Sequence, residues 1–101
     1  MEILLKNKMP DIIALFKNNK VQQAYAFGSA ISTNFNDNSD FDFLISFNKE
    51  LSPVQKGENW FTIYYGLKEL LNRDIDLVRE EDIKNPYLLK SINANRQLIY
   101  G

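Results

Sequence analysis

The chain has 101 residues, with 12 Lys and Arg against 13 Asp and Glu, and it contains no histidine and no cysteine. This composition excludes thiol nucleophiles, Ser-His-Asp triads, disulfides and zinc sites built from Cys or His. A net charge of -1 gives no basic surface for a phosphate backbone, so direct nucleic-acid binding is not expected. Catalysis in such a chain depends on carboxylates, hydroxyls, amines or a hard metal ion held by oxygen.

The length fits one domain over residues 1–101, and no repeat, low-complexity stretch or charge block divides it. The sequence has no run of about 18 apolar residues, and its amino terminus lacks the basic and apolar regions of a signal peptide. We therefore expect a single soluble domain in the cytoplasm, without a membrane partner.

Hydrophobic periodicity and turn residues predict the elements in chain order. They are a helix over Met9–Asn19 that Leu4 and Leu5 extend upstream, a strand over Val21–Phe27, a strand over Asp40–Phe47, a helix from Pro53 to Leu71, a strand over Asp74–Val78, a helix from Asn85 and an edge strand or tail over Gln97–Tyr100. This order favours an α/β fold with a small mixed sheet and helices mainly on one face.

The predicted second strand carries two acidic residues on one face. Residues two apart in a strand lie about 6.6 Å apart on the same side, so Asp40 and Asp42 project together while Phe41 and Phe43 enter the core. Like charges so placed repel each other unless a cation lies between them. Mg²⁺ is suited to this place because it binds one or two carboxylates together with substrate phosphates. A solvent-exposed edge strand without a metal site would have the same Asp-x-Asp pattern.

The strand before it ends at Gly28 and Ser29, where a short helix could begin. Backbone N–H groups at such a junction bind anions, and glycine lets a phosphate approach closely. An ordinary turn is the alternative, because Gly-Ser pairs are common in loops. Ten residues separate Ser29 from Asp40. In a sequence of this composition, a Gly-Ser pair followed by Asp-x-Asp at that one fixed separation is expected by chance about once in a thousand sequences.

Gly28-Ser29 followed after ten residues by Asp40-x-Asp42 resembles the signature of the nucleotidyltransferase superfamily that shares its fold with DNA polymerase beta. The short chain and the amino-acid sequence from Ser39 to Ile45 are similar to those of the minimal nucleotidyltransferase (MNT) branch. The resemblance covers nearly the whole chain from Val21. It implies a polymerase beta palm-like fold, a single minimal nucleotidyltransferase domain, and an enzyme that moves AMP from ATP to a hydroxyl.

The resemblance also implies the roles of particular residues. Asp40 and Asp42 would hold two Mg²⁺ ions, and Gly28 and Ser29 would bind the phosphates. The family's third carboxylate lies in an apolar-Asp-apolar-apolar segment, and Asp76 fits this pattern. The resemblance implies that Asp76 would share one metal ion and take the proton of the attacking hydroxyl. Adjacent strands lie about 4.8 Å apart, close enough for Asp76 to converge with the first two. Asp74, on the same face as Asp76, is the second candidate.

The chain departs from the family in its cations. Members often carry Arg or Lys just after the Gly-Ser pair, where this sequence continues with Ala30 and Ile31. Weak activity, another donor of positive charge and loss of catalysis all remain open. The nearest basic candidates in the sequence are Arg73, Lys68 and Lys56.

Four aromatic residues on the long predicted helix, Trp60, Phe61, Tyr64 and Tyr65, cannot share one face, so some should be exposed. They form either a wide core-facing surface or a partner interface. MNT proteins are commonly encoded beside a HEPN-domain toxin, and the resemblance implies an antitoxin that transfers AMP to a toxin tyrosine. The alternatives are an MNT module that blocks its partner by contact alone and a small-molecule nucleotidyltransferase; a homo-oligomer is compatible with each.

Overall fold

The computed structural model describes residues 3–28 and 40–101, so the candidate Ser29 and the residues that follow it up to Ser39 lie outside the described residues. The elements are α1 (Ile3–Asn7), α2 (Met9–Asn18), β1 (Val21–Phe27), β2 (Phe41–Phe47), α3 (Pro53–Leu71), β3 (Ile75–Arg79), a single 3-10 turn (Glu80–Asp82), α4 (Pro86–Asn95) and β4 (Gln97–Tyr100). None of the helices in these two stretches has the length and apolar character needed to span a membrane.

The four strands form one sheet in the order β3-β2-β1-β4. β1 runs antiparallel to both β2 and β4, whereas β2 and β3 are parallel. The connection between the parallel pair is α3, as expected because parallel strands need a long crossover. The predicted mixed sheet is confirmed, and Gln97–Tyr100 is an edge strand.

One face of the sheet forms the main core with α1, α2 and α3. Alternate residues of the two central strands enter this core: Ala24, Ala26, Phe41, Phe43, Ile45 and Phe47. Phe16 of α2 meets Phe43 edge to face, with 6.2 Å between ring centroids. Leu44 and Ile92 are also buried but lie outside this cluster, so the opposite face of the sheet is partly covered as well.

Local capping explains where the two later helices begin. The side chain of Ser52 accepts a hydrogen bond from the backbone N–H of Gln55, and the side chain of Gln55 accepts one from the N–H of Ser52. The side chain of Asn85 accepts bonds from the N–H groups of Tyr87 and Leu88. The predicted starts at Pro53 and Asn85 are thereby confirmed.

The prediction of one continuous amino-terminal helix is wrong. Residues 3–7 are helical, but they form the separate α1, and the chain breaks at Lys8. Pro10 causes this break because it has no N–H to donate to the carbonyl of Lys6, and its ring crowds that carbonyl. Three strand limits also differ by one residue: β2 begins after Asp40, and β3 begins after Asp74 and ends at Arg79 instead of Val78.

Two glycines within α3 differ in their surroundings, and this predicts different effects of alanine. A Cβ atom on Gly57 would meet no atom within 4 Å, whereas one on Gly66 would lie 2.7 Å from Leu15 Cδ2 of α2. We expect Gly57→Ala to stabilise the fold by about 0.5–1 kcal/mol through helix propensity, and Gly66→Ala to gain less because Leu15 must move. Urea unfolding of both variants measures this, and a destabilised Gly57→Ala variant would contradict it.

Candidate functional site

Two aspartates lie opposite each other on the parallel strands. Asp42 of β2 and Asp76 of β3 are partners in the strand register, and neighbouring strands lie about 4.8 Å apart. Because Phe41 and Phe43 enter the main core, the residue between them points to the opposite face of the sheet. The register therefore brings together two carboxylates that the sequence had assigned to neighbouring strands.

Asp42 lies in an electrostatically unfavourable place for a carboxylate. Its burial, followed by the negative charges of Asp76 and Asp40, raises its pKa from the ordinary value of 3.8 to about 6. Asp40 is exposed and just precedes β2, yet its charge still acts on Asp42. All three candidate carboxylates thus share one electrostatic environment that a cation would stabilise.

The donor chemistry of this pair fits a hard divalent cation. Within residues 3–28 and 40–101, no group of three or more Asp, Glu, His or Cys side chains is close enough to hold a metal ion. The register pair of Asp42 and Asp76 offers oxygen ligands from two side chains. That number suits Mg²⁺, which usually takes one or two carboxylates and completes its shell with substrate phosphates and water.

Gly28 lies directly against the carboxylate of Asp42. Phe27 pairs with Asp42 across β1 and β2, and the next residue turns with a φ of 66°, a left-handed conformation that favours glycine. A Cβ atom added to Gly28 would lie 2.3 Å from Asp42 Oδ2. Only glycine lets the backbone pass this close to the acidic pair, so Gly28 belongs to the site geometrically.

The edge strand that carries Asp76 is attached to α3 by an aromatic side chain. The indole N–H of Trp60 donates a hydrogen bond of 3.1 Å to the carbonyl of Leu77. Its ring stacks on Tyr64 at 5.2 Å, and both residues pack against the core. Phe61 and Tyr65 are 56% and 62% exposed, which confirms that the four aromatics do not share one buried face.

The basic residues proposed from sequence are dispersed. Lys56 pairs with Glu81 at 3.1 Å, and Lys68 lies over the ring of Tyr64. Arg73 and Lys68 line a groove of about 350 Å³ with Asn72 and Asp74. The carbonyl of Asp74 accepts a hydrogen bond of 3.0 Å from the N–H of Phe41, so this groove lies beside the start of β2.

Sequence reasoning missed Arg96. This residue lies between α4 and β4, and its guanidinium is 4.0 Å from the ring centroid of Tyr25. Tyr25 is two residues from Phe27, the partner of Asp42, so Tyr25 and Asp42 are on the same face of the sheet. No sequence signal links Arg96 to Asp42, because the two are 54 positions apart and are placed on one face of the sheet only by the pairing of β4, β1 and β2.

Residues 10–101 match the family "Polymerase beta, Nucleotidyltransferase". The chain belongs to this family and has its minimal nucleotidyltransferase fold, as the sequence motif predicted. It is 34% identical, over 98% of its length and 91% of the relative's, to a Methanocaldococcus jannaschii protein named "Putative protein adenylyltransferase".

Two solved structures have the same fold. A toxin-antitoxin crystal structure with AMP-PNP superposes with a TM-score of 0.73 at 24% identity, covering 92% of this chain and 73% of the other. A complex of tri-AMPylated Shewanella oneidensis HEPN toxin with MNT antitoxin gives a TM-score of 0.63 at 21% identity, covering 95% and 71%. The structural neighbours of this chain therefore include MNT antitoxins of toxin-antitoxin pairs.

Proposed function

We propose that this chain is a Mg²⁺-dependent nucleotidyltransferase that moves AMP from ATP to a tyrosine hydroxyl of a HEPN-domain toxin and so acts as its antitoxin. The observation that carries the proposal is the register pair of Asp42 and Asp76, with the backbone of Gly28 against the Asp42 carboxylate. Family membership supports the reaction class, and the named adenylyltransferase relative supports AMP as the transferred group.

The acceptor oxygen attacks the α-phosphorus of ATP, forming a new O–P bond as the bond from that phosphorus to the α,β-bridging oxygen breaks and pyrophosphate leaves. Asp76 takes the acceptor's proton, which its exposed carboxylate can return to water. Asp40, Asp42 and Asp76 would hold two Mg²⁺ ions, with Asp76 sharing one of them, and the ions would supply positive charge that neutralises the triphosphate and stabilises the attacking and leaving oxygens. Gly28 and Ser29 contribute backbone N–H groups to the phosphates.

The HEPN partner is proposed because toxin-antitoxin complexes are among the structural neighbours, one of them holding an AMPylated HEPN toxin. The partner then supplies the part of the site that selects the hydroxyl. A chain that neutralises the toxin by contact alone is the competing function.

Label transfer tests the proposal. The chain is incubated with Mg²⁺, the HEPN-domain protein encoded beside it, and ATP labelled at either the α- or the γ-phosphate. We expect label on the partner from α-labelled ATP only, and none on a partner whose acceptor tyrosine is replaced by Phe. Toxin neutralisation without any labelling would favour the contact-only function.

A matched pair of variants tests which aspartate of the third strand takes part. Asp76→Asn should lower the transfer rate by more than about 100-fold, beyond the 10–100-fold typical of losing a residue that only supports a metal ligand. Asp74→Asn changes the same chemical group two residues earlier and should stay near the wild-type rate. The reverse order of effects would assign the role to Asp74.

A further inference from the structure

Arg96 lies at the end of β1 that approaches the acidic pair. It directly precedes Gln97, which pairs with Ala26, and Ala26 is followed by Phe27, the last residue of β1, and by the Gly28 turn. Phe27 in turn pairs with Asp42. The strand pairing therefore places the backbone of Arg96 at the same end of the sheet as the Gly28 turn, and its guanidinium extends from there to Tyr25 and Glu80.

The guanidinium group lies on the face of the sheet that carries the carboxylates. It is 4.0 Å from the centroid of the Tyr25 ring, and Tyr25 and Asp42 are diagonal neighbours across β1 and β2. Diagonal neighbours of this kind have Cα atoms about 7–8 Å apart. A triphosphate held at Asp42 can reach across that separation.

Two contacts hold Arg96 in place and leave its donor edge usable. The contact with Tyr25 is a cation–π interaction, with the guanidinium carbon 4.0 Å from the ring centroid. The ion pair with Glu80 has an N···O separation of 3.7 Å, longer than a hydrogen bond. The planar group with five N–H donors is therefore preorganised for an oxyanion, and phosphate is one of the anions whose geometry such a fork matches.

We propose that Arg96 binds the triphosphate of the nucleotide and supplies the cation that this sequence lacks after the Gly28-Ser29 pair. The inference rests on the proposed function, and it assigns a binding residue from the opposite end of the chain. In contrast, Lys56 and Arg79 are engaged with Glu81. Arg96 is held instead over Tyr25, on the face that carries Asp42.

Calorimetric titration of the full chain with Mg²⁺-ATP and with AMP tests this assignment. Arg96→Gln should weaken Mg²⁺-ATP binding by about 10- to 100-fold, the loss typical of a charge-assisted hydrogen-bonded pair, and Arg96→Lys should recover part of it. AMP binding should change less than about twofold, since AMP lacks the β- and γ-phosphates. Glu80→Gln is the matched control, because it breaks the same ion pair but keeps the guanidinium on Tyr25.

Each result decides the inference. Unchanged Mg²⁺-ATP binding by Arg96→Gln, or an equal loss in Glu80→Gln, overturns it and leaves the proposed transfer reaction standing. Weakened binding by Arg96→Gln in a chain that binds Mg²⁺-ATP but labels no acceptor supports the inference and rejects the transfer reaction. A wild-type chain that binds no Mg²⁺-ATP rejects both. The Arg96→Lys variant and thermal melts separate loss of the donor from loss of the fold.

Discussion

We expect the replacement of Asp42 by Asn to abolish nucleotidyl transfer and also to stabilise the folded chain at neutral pH. The loss of activity, expected to exceed about 100-fold, follows because Asn offers one neutral oxygen where the reaction requires an anionic ligand. The gain in stability follows because the ionised Asp42 carboxylate is half-buried and faces the charges of Asp76 and Asp40. Such a trade-off between stability and activity is typical of a strained, destabilised active site.

The pH dependence of stability follows from the direction of the Asp42 shift. The folded chain binds this proton more tightly than the unfolded chain, because the pKa rises from 3.8 to about 6. The contribution of this proton to the free energy of unfolding is therefore largest below pH 3.8, falls as the pH rises from 3.8 to about 6, and stays low above that range. At about 1.4 kcal/mol per pKa unit, and reduced for solvent screening, Asp42→Asn should gain about 1–2 kcal/mol at pH 7.

Urea unfolding across this pH range, repeated in Mg²⁺ and in EDTA, measures both effects. The wild type should lose stability between the two pKa values and regain part of it in Mg²⁺, because a bound cation stabilises the folded state by mass action. Asp42→Asn should show neither change, and Asp74→Asn serves as the exposed carboxylate control. A less stable Asp42→Asn variant at pH 7, or retained label transfer, would contradict the assigned site.

Gly28→Ala has the second large expected effect, and it acts through Asp42. The alanine must adopt a φ of 66° and place its Cβ atom 2.3 Å from Asp42 Oδ2. The backbone strain costs about 1–2 kcal/mol and the overlap about 1–3 kcal/mol more, unless the carboxylate moves. Since a misplacement of about 1 Å can lower a rate by about 100-fold, we expect the variant to lose both stability and transfer activity.

A double-mutant cycle separates these two costs. Asp42→Ala removes the carboxylate that the new Cβ atom meets, so Gly28→Ala should destabilise the Asp42→Ala chain by the strain alone. Gly57→Ala is the matched control for a glycine-to-alanine change, because it places a methyl group in open space. Equal costs of Gly28→Ala in both backgrounds would show that the two residues are not coupled.

Local sequence patterns were sufficient for much of the fold. The alternation from Phe41 to Phe47 predicted which side chains enter the core, because strand periodicity depends only on residues two apart. Pro53 and Asn85 predicted helix starts in the same way, since the capping bonds at these starts span at most four residues. The pattern failed at Lys8, where the apolar spacing continued but Pro10 interrupted the backbone hydrogen bonding.

By itself, the sequence determined which residue types can perform the chemistry, because a chain without His and Cys must rely on carboxylates, and it determined the family through one motif spacing. Only the tertiary structure decided that Asp42 faces Asp76, that Gly28 touches the Asp42 carboxylate, and that Arg96 lies on the same face. The physical reason is that strand register joins residues far apart in the chain. Periodicity assigns a face to each strand but does not say which residues of two strands lie opposite each other.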